Sequence, residues 1–254
     1  HFYMTFFIAH QCGIESDTRM GGWVMEALRL AWANQYVDES EETLQPVPWL
    51  NRSFHKDMAW HSARKFHFLA HDMEARLHGE YSGYPTVSHV KVPPVAGGPR
   101  ARMLIDLAVQ TGNVFAMGAA LHTYQDTWSH EGLTPIEHAS LGHAPDKPYG
   151  SPENFMDYQK MAHSTYEAID HLSRMRGGGG CNADWSEISS FITQTAMLAG
   201  HGDNSKDCRK QVWKEMIERK IGVKGLGMHP DIADSWKDTW RRHLIDPDII
   251  PWVN

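Results

Sequence analysis

Two runs of this chain could do chemistry: His122-Thr-Tyr-Gln-Asp126-Thr-Trp-Ser-His130 and, later, His163-Ser-Thr-Tyr-Glu167. On an α-helix, residues four apart diverge by only about 40° around the axis. His122 with Asp126, and His163 with Glu167, can therefore each aim an imidazole and a carboxylate at one cation. Nitrogen and oxygen donors without thiolates suit zinc best among common biological metals, with manganese or iron as other occupants. A single such pair is weak evidence, because the spacing arises by chance in any His-rich helical protein. A set of pairs is stronger.

The elements that must hold these residues read as helices throughout. From Ser16 to Asp38 the apolar residues Trp23, Val24, Ala27, Leu28, Ala31 and Trp32 recur at helical spacing, with Ser16 or Asp17 as N-cap. Asp38 then sits at the helix C-terminus, where an acid opposes the helix dipole and a nearby cation would account for it. Phe54 to Leu77 reads as one long or two short helices carrying His55, His61, His67 and His71. After a Gly/Pro-rich loop from Gly79 to Pro99 comes the longest pattern, Ala101 to Trp128, whose small residues Gly112, Ala116, Gly118, Ala119 and Ala120 imply close helix packing. A second loop, from Gly132 to Gly150, precedes a helix from Glu153 to Met175. Past the Gly177 to Gly180 run, Trp185 to Leu198, Lys206 to Lys220 and Asp231 to His243 read as three more. No strand-like alternation is sustained and no internal repeat is visible. The expected fold is all-α, a single domain over residues 1–254 with its ligand-bearing part within about residues 1–170.

Composition fits this reading. The chain carries 17 His in 254 residues, with 41% hydrophobic and 22% charged residues, the balance of a folded globular protein. A net charge of -7 gives no general attraction to nucleic acid or anionic membrane, so a polynucleotide would need a local basic or metal-lined groove. The three cysteines, Cys12, Cys181 and Cys208, lack CxxC spacing and argue against a thiolate site, although one bridge, such as Cys181 to Cys208, is compatible with them. No apolar stretch reaches the roughly 20 residues of a membrane span, and no signal peptide is recognisable. The first residue is His1 rather than Met, consistent with processing or trimming, and neither compartment nor oligomeric state is specified.

Several residues carry plain readings. His10, His55, His61 and His78 read as solvent-facing or hydrogen-bonded helix residues. His143 and Asp146 fall in a turn-rich loop, where turn hydrogen bonds outweigh ligation. The tryptophans read as core, and Arg100 and Arg102 as solvated residues at a helix start.

In chain order the candidate ligands are an early His, Ala33-Asn-Gln-Tyr-Val-Asp38, Phe66-His67-Phe68, His122xxxAsp126xxxHis130 and His163xxxGlu167. That order resembles the zinc-dependent phospholipase C and single-strand-specific zinc nuclease superfamily, and more closely a group of uncharacterised helical relatives of it. The resemblance implies a phosphoesterase with two or three zinc ions. It assigns Asp38, His67, His122 and Asp126 to one zinc, and makes Asp126 the bridge to a second that His1 also holds. His130, His163 and Glu167 would hold a third. Relatives of known activity place a tryptophan before the early His, whose amine and carbonyl complete the second site. Here either the amine of His1 serves together with its imidazole, or residues upstream do. The spacing from Asp126 to His130 is also shorter than in those relatives.

Asp38 and Asp126 are the carboxylates expected to orient water and bridge ions, and a phosphoester or other small molecule is the expected substrate. Since neutral imidazole is the ligand, protons compete with metal, and activity is expected to fall below about pH 6. Two other readings stand beside this one. An HD-type phosphohydrolase would use the adjacent His71 and Asp72, leaving Asp126 and Glu167 without a role. A non-hydrolytic iron protein would also place His and carboxylates on several helices, but such sites usually use glutamates with Glu-x-x-His spacing, which is not part of this set.

Overall fold

The computed structural model describes residues 1–14, 25–39, 66–67, 69, 93–133, 137, 140–141, 147, 151–200, 206–227, 236–240 and 242. Within them the chain folds as α1 (Phe2–Gln11), α2 (Met25–Tyr36), α3 (Pro99–Thr111), α4 (Val114–Ser129), α5 (Pro152–Met175), α6 (Trp185–Gly200) and α7 (Lys206–Ile221), and residues 236–240 are helical as well. No strand ladder occurs among the described residues, so the fold is all-α. Buried side chains from Phe2 to Trp240 form one connected apolar core.

The centre of that core is α4. Every residue from Val114 to Thr127 is buried, and the helix packs against α2, α3 and α5. A helix surrounded on all sides is normally apolar all round. This one nevertheless buries His122, Thr123, Gln125, Asp126 and Thr127, polar groups that stay inside only if partners satisfy them.

The long pattern from Ala101 to Trp128 is two helices rather than one. Gly112 ends α3 in the left-handed conformation (φ 63°), and the side chain of Asn113 accepts hydrogen bonds from the amides of Phe115 and Ala116 to start α4. Gly followed by Asn is a C-terminal stop and an N-cap in succession, and apolar periodicity alone runs through it. α1 is an element that helical periodicity in the sequence did not single out. Its residues Phe2 and Met4 to Ala9 are buried, so it is a core helix without a polar face.

At the crossing of α2 and α4 there is no room for a side chain. A Cβ on Gly118 would lie 2.5 Å from the Ala33 Cβ, 2.6 Å from the Leu30 carbonyl oxygen and 2.8 Å from the Asn34 nitrogen. The two backbones therefore touch one turn before His122. α5 starts on the N-cap Ser151, whose hydroxyl accepts from the Asn154 amide, and buries Ala162, Thr165, Ala168, Ile169 and Leu172 on one face.

A disulfide joins Cys12, at the end of α1, to Cys181. It replaces the suggested Cys181 to Cys208 pairing. Cys208 belongs to α7, whereas the backbone after Cys181 is hydrogen-bonded to the end of α1, with the Asn182 amide donating to the Gln11 carbonyl at 2.8 Å. Among the described residues no helix is long and apolar enough to cross a membrane. Most of the Phe54 to Leu77 segment lies outside the described residues, including His55, His61, His71 and Asp72, as do His78, His143 and Asp146.

Candidate metal centre

Four segments deliver side chains to one place. His1 is the N-cap residue of α1, and Asp38 lies in the turn that ends α2, its amide bonded to the Gln35 carbonyl. His67 comes from the short described piece at residues 66–67, and His122 and Asp126 face it from consecutive turns of α4. The three innermost groups, His67, His122 and Asp126, are buried and form the floor. At the rim, the side chains of His1 and Asp38 keep 26% and 20% of their surface accessible, so the open side lies between them.

Lone pairs converge on the floor. His67 Nδ1 stands 2.9 Å from Asp126 Oδ2, 3.1 Å from His122 Nε2 and 3.9 Å from Asp38 Oδ1. His122 Nε2 is in turn 3.2 Å from Asp126 Oδ2 and 3.5 Å from Asp38 Oδ1. Four donors arranged tetrahedrally about an ion at about 2.0 Å stand about 3.3 Å from one another. The observed spacings bracket that value. The other oxygen of the same carboxylate, Asp126 Oδ1, faces His1 Nε2 at 3.2 Å. Two overlapping groups thus have the ligand atoms to hold an ion, His1 with His122 and Asp126, and Asp38 with His67 and His122.

His130 stands behind the floor. Its Nδ1 donates to the His67 carbonyl at 2.7 Å, clamping that segment to the end of α4, and lies 3.9 Å from Asp126 Oδ2. The remaining pair, His163 Nε2 and Glu167 Oε1, is 3.9 Å apart on the exposed side of α5, where His163 packs on Trp185 with ring centroids 4.8 Å apart. Among the described residues no group of three ligand atoms joins His163 or Glu167 to His130.

The charges are arranged for a cation. Burial works against ionisation of Asp126, but the imidazoles of His122 and His130, with hydrogen bonds from His1 and His122, hold its carboxyl well below the usual range. Burial likewise opposes ionisation of Asp38, and the neighbouring His122, His1 and His67 keep its carboxyl below the ordinary value. Burial pushes His122 down and outweighs both carboxylates, which keeps its imidazole neutral. At His1 burial also lowers the affinity for a proton, yet the hydrogen bond and charge of Asp126, together with Asp38 and Gln125, raise the pKa to about 10.

A family model described as a family of unknown function, DUF6765, matches residues 1–138. The chain belongs to the DUF6765 family. The matched span contains all six clustered groups of this DUF6765 chain, His1, Asp38, His67, His122, Asp126 and His130, and stops short of His163 and Glu167. No match is found among curated proteins or among solved structures.

Sequence reasoning missed one neighbour of the cluster in the DUF6765 chain: His1 Nδ1 is 2.8 Å from Gln125 Oε1. A signal existed, since Gln125 lies three residues after His122 and so shares its helix face.

The His1 shift has a measurable consequence. In the metal-free protein His1 holds a proton whose stabilising effect is complete below about pH 6.5 and is lost as pH rises through about 10. An ion bound by Nε2 must displace that proton. Affinity at the His1 position is therefore expected to rise about tenfold per pH unit across the neutral range, with one proton released. Competition titrations against a chromophoric chelator between pH 6.5 and 8.5 check this, and a flat profile would remove His1 from the ligand set. Proton competition thus starts at a higher pH than the ordinary imidazole value indicates.

Proposed function

We propose that this chain is a metal-dependent hydrolase of phosphoesters, with His1, Asp38, His67, His122 and Asp126 holding two zinc-type ions. The observation that carries the reading is the set of spacings around His67 Nδ1 and His122 Nε2, from 2.9 to 3.9 Å, which suits a cation about 2 Å from each ligand atom. The ligand order along the chain, similar to that of the zinc phospholipase C and nuclease superfamily, supports the choice of reaction. Nitrogen-rich donors with only two aspartates and no glutamate favour zinc over a di-iron site.

Ions held by these residues would supply a hydroxide-strength nucleophile near neutral pH and would neutralise the non-bridging oxygens of a phosphoester. The protein's own groups have separate tasks. Asp126 turns one oxygen to His1 and the other to His67 and His122, the arrangement of a bridging ligand. Asp38 is ionised and partly accessible at the rim, where it can orient an incoming water and accept its proton. His130 acts through the His67 carbonyl, keeping that imidazole in place. With a net charge of -7 and no basic surface required, the reading favours a small phosphoester over a polynucleotide.

Elemental analysis of the gently purified protein, combined with assays on nitrophenyl phosphate mono- and diesters, tests the proposal. The expected result is two equivalents of zinc, with hydrolysis abolished by a chelator and restored by added zinc. Less than one equivalent of any transition metal overturns it. A third equivalent lost only in Glu167→Gln would add an ion at the exposed His163 pair.

A further inference from the structure

The buried polar network behind His1 spans four helices. Gln125 Nε2 donates to Thr165 Oγ1 of α5 at 3.2 Å and to Thr5 Oγ1 of α1 at 3.1 Å. Its Oε1 accepts from Asn34 Nδ2 of α2 at 3.1 Å and faces His1 Nδ1 at 2.8 Å. Thr5, Asn34, Gln125 and Thr165 are all buried.

The orientation of the Gln125 amide follows from its neighbours. The Thr165 hydroxyl donates its single proton to the Met161 carbonyl at 2.9 Å, so towards Gln125 it offers only lone pairs. The amide atom facing Thr165 must then be nitrogen. Asn34 is arranged to match, its Nδ2 turned to Gln125 while its Oδ1 has no partner among the described residues although the side chain is fully buried. An orphaned buried carbonyl is destabilising. Turning Asn34 around would leave its oxygen against Gln125 Oε1, so the cost is tolerated and the amide orientation kept. With Oε1 fixed towards His1, the acceptor dictates that His1 Nδ1 carries the hydrogen. The lone pair of the neutral ring is then on Nε2, the nitrogen 3.2 Å from Asp126 Oδ1.

We propose that Thr165, through Gln125, sets the tautomer of His1, so that Nε2 and not Nδ1 is presented to the metal centre. Both are positioning residues that touch neither ion nor substrate, and the inference rests on the metal-centre reading above. Without the relay the His1 ring can bind through either nitrogen, and one of the two sites weakens. Outer-shell partners of this kind typically contribute 10–100-fold in metal affinity.

The test compares Thr165→Val, of nearly the same shape but unable to accept, with Thr165→Ser, which keeps the hydroxyl, and with Gln125→Met. Zinc is titrated against a chromophoric chelator, folding is checked by circular dichroism, and nitrogen-15 spectra of histidine-labelled, zinc-loaded protein report which ring nitrogen of His1 is bound. The expected result is one zinc equivalent weakened 10–100-fold in Thr165→Val and Gln125→Met, the other equivalent unchanged, and wild-type behaviour in Thr165→Ser. In the wild type, Nε2 should be the bound nitrogen. Unchanged zinc affinity in a folded Thr165→Val overturns the relay and leaves the metal centre standing. Zinc on Nδ1 of wild-type His1 overturns it without any variant. A wild type that takes up no zinc removes both proposals at once.

Discussion

Asp126→Asn is expected to abolish binding of both proposed ions. The substitution preserves shape but removes the charge, and with it the carboxylate that faces His1 through one oxygen and His67 and His122 through the other. The first candidate group loses its only anion and the second loses the carboxylate oxygen 2.9 Å from His67 Nδ1, so the fall in affinity is expected to exceed the 10–100-fold of an outer-shell change, and any hydrolysis to drop to background. Zinc content after dialysis and initial rates on a nitrophenyl phosphate diester measure this, with Lys160→Ala on the exposed surface as the unaffected control. Retention of one full equivalent in Asp126→Asn would show that Asp126 serves a single ion, and the bridging role would be lost.

Cutting the disulfide gives the second large effect. Cys12 and Cys181 are 169 positions apart, and a loop of that length restricts the unfolded chain enough to stabilise the fold by about 5 kcal/mol in the chain-entropy model. Cys181→Ser, or reduction of the wild type, should therefore lower the urea midpoint of the metal-free protein markedly. Thiol titration of the denatured chain should count one reactive thiol before reduction and three after. An unchanged midpoint, or three thiols without reductant, would contradict the bridge.

The sequence made some of this site legible and hid the rest for physical reasons. His122 and Asp126 could be paired from spacing because four residues on a helix fix relative direction whatever the helix packs against. Asp38 stood out as an acid at the wrong end of a dipole. The same spacing rule does not say which face turns inward. His163 and Glu167 do meet at 3.9 Å, but the buried face of α5 is that of Ala162, Thr165, Ile169 and Leu172. The residue of that helix that reaches the network is Thr165, an unremarkable threonine in the sequence. Thr5, Asn34 and Gln125 are likewise neutral polar residues whose meaning comes from one another, across sequence separations that no local pattern records. The break at Gly112 and Asn113 was readable from capping chemistry, and the run of small residues around it drew the eye to packing instead.

The contact at Gly118 bears on the proposed centre through the placement of Asp38. Asp38 hangs from the end of α2, and His122 and Asp126 from α4, so the absence of one methyl group where those helices touch sets the gauge of the ligand cage. His122 Nε2 and Asp126 Oδ2 ride on one helix and would keep their 3.2 Å spacing if α2 moved outward, whereas Asp38 Oδ1, now 3.5 Å from His122 Nε2, would be carried away, so a side chain at position 118 would open the group on its Asp38 side. The reach of Asp38 towards the two α4 side chains is in this way held by a glycine one turn before His122.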